Sequence, residues 1–100
     1  MRNIIDINDY SDRAVEFKIG DKVIRCPELS YKDMRKVNEY EKNKESTQDD
    51  EIEIVLFLLN RNTSGNKFTQ QDIDKLPAGA ITRIYRECVM LSQRALTEKN

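Results

Sequence analysis

The stretch Ile52-Glu53-Ile54-Val55-Leu56-Phe57-Leu58-Leu59 is the most apolar in the chain, and the pieces on either side of it are shorter and more polar. On a 3.6-residue period Ile52, Val55, Leu56 and Leu59 fall on one face of a helix, while Ile54, Phe57 and Leu58 fall on the opposite one. Both faces therefore need covering, and such a helix is either sandwiched inside a domain or docked on a partner. Ser46 or Thr47 can cap its start. Asp49, Asp50 and Glu51 then occupy the first turn, where each exposed carboxylate gains about 0.3–1 kcal/mol from the helix dipole. The spacing predicts this central helix over about residues 49–61. Its apolar run from Ile54 to Leu59 is far too short to span a bilayer.

Toward the N-terminus the clearest β signal is Ala14 to Cys26, with Gly20-Asp21 as a two-residue hairpin turn that wants glycine first. That turn sets a register in which Ile19 faces Lys22, Lys18 faces Val23, Phe17 faces Ile24, Glu16 faces Arg25 and Val15 faces Cys26. Val15, Phe17, Ile24 and Cys26 then share one face. Glu16 and Arg25 are expected to form a cross-strand ion pair on the other. An isolated hairpin is marginal, so its apolar face must lie on the helices. Before it, residues 1–13 mix Ile4, Ile5 and Ile7 with Asn, Asp and Ser, and read as a loose arm or a short edge strand.

Between hairpin and central helix, Pro27 ends the second strand and Leu29-Ser30-Tyr31-Lys32-Asp33-Met34 supplies a helix start. Ser30 is the cap, Asp33 stands three residues on, and Leu29 and Met34 form a hydrophobic staple. The helix should run over about residues 31–43 with a thin apolar stripe of Met34, Val37 and Tyr40. Beyond the central helix, residues 60–67 read as a loop with Gly65 left-handed. Phe68, Thr69, Asp72 and Ile73 repeat the staple and cap, opening a short helix over 70–76. Pro77 stops that helix and starts the last one, over about 77–97. Its stripe of Ile81, Ile84, Tyr85, Cys88, Leu91 and Ala95 is widened by Val89, Ser92 and Leu96. The sum is an α+β, mainly α, single domain over 14–97, a hairpin packed on a small bundle of about four helices.

One hundred residues make one domain, and a chain of this size buries only about two-thirds of its unfolded surface. A third of the residues are charged, yet the net charge is −1 and the basic residues are scattered among acids. This pattern speaks against general binding of nucleic acid or anionic membranes. Arg83, Arg86 and Arg94 on the last helix mimic a DNA-reading element, but its first turn offers Ala78, Gly79, Ala80 and Ile81 where polar readers belong. The chain contains no histidine, the usual general base and zinc ligand, and its three glycines are ungrouped, so no phosphate-cradling loop is present. Cys26 and Cys88 follow no metal or redox spacing and read as reduced and buried, with a single disulfide as the alternative. Asn62-Thr63-Ser64 matches a glycosylation sequon, without meaning in a cytosolic chain. No enzyme, metal or cofactor is expected.

Taken together, the hairpin leading into Cys26-Pro27-Glu28-Leu29-Ser30 and a polar helix, the apolar helix ending Leu58-Leu59-Asn60, and Phe68-Thr69-Gln70-Gln71-Asp72-Ile73-Asp74-Lys75-Leu76-Pro77 before a closing helix resemble the tail assembly chaperones of long-tailed bacteriophages of Gram-positive hosts. The likeness covers roughly residues 15–91 and is one of arrangement. It implies a small non-enzymatic protein that coats the helical tape measure protein in the host cytoplasm and is absent from the mature virion. A longer form made by ribosomal frameshifting would recruit tail tube protein; self-association is a separate expectation, from the N-terminal arm pairing with another copy or the apolar helix faces meeting one. The other classes to weigh are a structural virion piece such as a head–tail connector and a small nucleic-acid-binding regulator. The candidate partner interface is Ile54, Phe57 and Leu58 with Val89 and Leu96, against the alternative that these side chains close the monomer's own core.

Overall fold

The computed structural model describes residues 3–97, with the side chains of Ser11 and of residues 94–97 outside that description. The hairpin forms in the expected register: β1 (Ala14–Ile19) pairs antiparallel with β2 (Lys22–Pro27), Phe17 opposite Ile24 and Val15 opposite Cys26. Gly20 carries φ +65°, and no non-glycine residue in the described chain has positive φ, so the turn places its one left-handed residue where glycine stands. Ile24 and Cys26 are fully buried, and Val15 and Phe17 pack half-buried against the core. The expected Glu16–Arg25 pair does not form. Arg25 instead donates Nη2 to the Asp12 carbonyl at 2.8 Å, a fixed acceptor within reach, while Glu16 stays exposed.

Ahead of β1, neither an edge strand nor extended chain continues through residues 7–12; Ile7–Asp12 is a 3-10 helix. Asp6 accounts for this, since its side chain accepts from Asn8 N at 3.0 Å and its carbonyl from Asp9 N at 3.2 Å. Such local side-chain bonds offer the backbone an alternative to a ladder. Met1 and Arg2 of the expected arm lie outside the described residues.

Four helices follow: α1 (Tyr31–Lys42), α2 (Gln48–Leu59), α3 (Gln70–Asp74) and α4 (Ala78–Thr97). The first three open on reciprocal capping boxes, Ser30 with Asp33, Thr47 with Asp50 and Thr69 with Asp72. Hydrogen bonds from Thr69 are the main reason the exposed Asp72 carboxyl titrates below its ordinary range. The Pro77 carbonyl accepts from Ala80 N and Ile81 N, which sets the start of α4.

The central helix is covered on both sides, because α2 touches α1, α3, α4 and β2. Val55, Leu58 and Leu59 are fully buried and Ile54 is 7% exposed. Around them lie Val37 of α1, Ile73 of α3, and Ile81, Ile84, Cys88 and Val89 of α4. Cys26 of β2 and Cys88 of α4 are both free and buried. The neighbouring Cys26 thiol and burial together push the Cys88 thiol up. A turn further along α4, the buried Ser92 hydroxyl accepts from Leu29 N at 2.9 Å.

Polar ties close the C-terminal end of α2. Arg61 donates Nη1 to the Pro27 carbonyl at 3.1 Å and Nη2 to the Glu28 carbonyl at 3.0 Å, and its Nε lies 2.8 Å from Asp33 Oδ2. Both side chains of that ion pair are 17% exposed. The helix ends two residues earlier than its sequence pattern predicts because Asn60 turns its amide to the backbone of Phe68, accepting from N at 2.8 Å and donating to O at 3.1 Å. Asn62 fills the loop so formed, bonding Leu59 O, Asn66 O, Ser64 N and Asn66 N. Gly65 takes φ +77° there, as expected. The loop then covers the outer edge of β2: Thr63 N donates to Arg25 O at 3.0 Å, and Arg25 N donates to Ser64 Oγ at 2.8 Å.

Replacing Leu58, which has no exposed surface, by alanine should cost about 2–5 kcal/mol in urea unfolding. Arg61→Ala should cost about 3 kcal/mol by unpairing a largely buried charge and two carbonyls, and Arg61→Lys should recover only part of it, because an ammonium cannot fork. A third expectation is alkaline. Tyr85 donates to Glu41 Oε2 at 2.6 Å, and burial and this bond hold its phenol above the ordinary value of 10.0. Its contribution is complete below that ordinary value and is lost as pH rises past it, where the unfolded chain releases the proton first. The stability gap between wild type and Tyr85→Phe should therefore narrow in urea titrations taken between about pH 8 and about pH 11.

Candidate functional site

Helices α1 and α2 are joined by a short polar link and present facing rows at helical spacing. Lys36 and Tyr40 on α1 and its C-cap Asn43 lie four and three residues apart, and Asp50, Ile54 and Phe57 repeat that spacing on α2. Together with Glu39 and Glu53 they line an open groove of about 250 Å³. Ile54 is almost entirely buried at its base, while Tyr40 and Phe57 are half-buried. Lys36 places its Nζ 4.5 Å from the centroid of the Phe57 ring, a cation–π contact. Tyr40 is steadied from behind by an edge-on contact with Tyr85, at 5.5 Å between centroids and 61° between planes.

Of the five residues expected at a partner interface, the structure brings Ile54 and Phe57 to this groove. Leu58 and Val89 are buried in the core, so a partner could meet them only by opening the fold. The side chain of Leu96 lies outside the described residues. The groove also contains residues that the periodicity of α2 did not signal. Tyr40 belongs to the thin stripe of α1, which supplied the available hint, whereas Glu39, Asp50 and Glu53 read as solvated surface until the two helices are set side by side.

The electrostatics of the groove are negative. Burial raises the Tyr40 phenol above its ordinary value, and the charges of Glu51, Asp50 and Glu41 raise it further. The two thiols are buried away from the groove, 0% and 4% exposed. Among the described residues no cluster of His, Cys, Asp or Glu could hold a metal ion, and no helix is long and apolar enough to cross a membrane. What the arrangement can do is hold an apolar side chain against Ile54, Tyr40 and Phe57, with carboxylates around it. No family model, curated protein or solved structure matches the chain.

Proposed function

We propose that the chain is a non-enzymatic tail assembly chaperone of a long-tailed bacteriophage, which shields helical segments of the tape measure protein in the host cytoplasm and leaves before the virion is complete. The observation that carries this reading is the groove between α1 and α2, where Phe57 is only half-buried and Ile54 forms an apolar base. A groove between two helices suits an amphipathic helix laid into it, which is the form a tape measure protein offers along its length. The order of hairpin, capped polar helix, apolar helix and closing helix supports the same assignment. Contact with tail tube protein belongs to the longer frameshifted form and not to this groove.

Fully burying a large apolar side chain is worth about 1.5–3 kcal/mol, and association itself consumes much of the gain from a few such contacts. The complex is therefore reversible, as a shield that must leave requires. Coexpression with the cognate tape measure protein tests the reading: wild type should keep that protein soluble, and Phe57→Asp should stay folded by circular dichroism yet lose the effect. Leu58→Asp, placed in the core, should instead lose the fold. A wild-type chain that leaves its tape measure protein insoluble overturns the assignment.

A further inference from the structure

Charge is unevenly placed in a chain that is nearly neutral as a whole. Between Glu39 and Glu53, the end of α1 and start of α2, stand seven carboxylates and two lysines, although the chain's net charge is only −1. Three of those carboxylates, Glu39, Asp50 and Glu53, line the groove, and Lys36, the one cation among the described residues that line it, is drawn over the Phe57 ring. The Asp50 carboxylate is fixed by its capping bonds from Thr47, at 2.9 Å to N. The groove thus combines an apolar base, an aromatic face that already holds an ammonium, and a rim of opposite charge.

We infer that the occupant of this groove is a cationic amphipathic helix, which seats one large apolar side chain between Tyr40, Ile54 and Phe57 and sets Lys or Arg one turn away against Glu39, Asp50 and Glu53. This rests on reading the groove as the partner site and specifies the partner's chemistry. Tyr40, Ile54 and Phe57 give the groove its apolar lining, so the apolar anchor supplies position. The rim supplies the choice between partners, since like charges along the groove disfavour an acidic helix. An incoming lysine or arginine can also take the place of Lys36 over the Phe57 face.

The test uses the full chain and three fluorescently labelled helical peptides of about 20 residues, long enough to hold a helix. One carries a Leu/Phe stripe flanked by Lys and Arg, one the same stripe flanked by Glu, and one the same basic residues with Ser in the stripe. Anisotropy titrations should show the first binding at least tenfold more tightly than either other peptide, with affinity falling between low salt and about 0.5 M salt as exposed charges are screened. Glu39→Lys with Glu53→Lys, both at exposed positions, should leave the circular dichroism spectrum unchanged and reduce or reverse the preference. Equal binding of the two striped peptides, or equal binding of the two basic ones, overturns the inference. So does binding to none of them by a chain that does solubilise its tape measure protein, an outcome that leaves the chaperone reading standing.

Discussion

A helix that is apolar around most of its circumference has little surface to give to water, and this constraint on α2 organises the domain. Val55, Leu58 and Leu59 are fully buried, and each such side chain contributes about 1.5–3 kcal/mol when removed from water. No single neighbour can cover all of them. The chain answers by placing α1, α3, α4 and β2 around the one helix. A two-stranded hairpin, marginal alone, gains its stability from the same cluster, where Ile24 and Cys26 complete the core.

The polar groups at the C-terminal end of α2 are satisfied by a second, directional set of contacts. Arg61 gathers two carbonyls from the junction of β2 and α1 together with the carboxylate of Asp33. Asp33 also caps α1 by accepting from Ser30 N at 3.1 Å, so one carboxylate fixes the start of a helix and pairs with the cation that anchors it to the core. Asn60 and Asn62 do the equivalent work for the loop, replacing backbone partners that irregular chain lacks. These ties hold α1 in place beside α2, and the groove exists because of that placement.

The same packing separates core from surface on a helix whose sequence does not. Phe57 stays half-buried although Leu58 beside it has no exposed surface. The difference lies in the neighbours: the stripe that α1 offers is thin, and over the Phe57 ring stands the ammonium of Lys36. A partner can take that place without disturbing the core.

The sequence by itself determined the elements and their beginnings. Alternation around Gly20-Asp21 dictated the hairpin register, because a slip of one residue would turn the apolar set outward. Two caps of the form Ser or Thr followed by Asp three residues on, Ser30 with Asp33 and Thr69 with Asp72, marked helix starts, because they satisfy local backbone groups without help from distant chain; the structure chose Thr47 over Ser46 as the cap of α2. Only the tertiary structure decided which apolar residues are core and which line a groove, since Ile54, Phe57 and Leu58 carry the same signal until neighbours are assigned. It also decided Arg25's turn to Asp12 in place of Glu16, Arg61's reach to residues about thirty positions away, and the meeting of Cys26 with Cys88. Those are contacts between segments far apart in the chain or choices among nearby acceptors, and periodicity, which reports only on local geometry, holds no record of them.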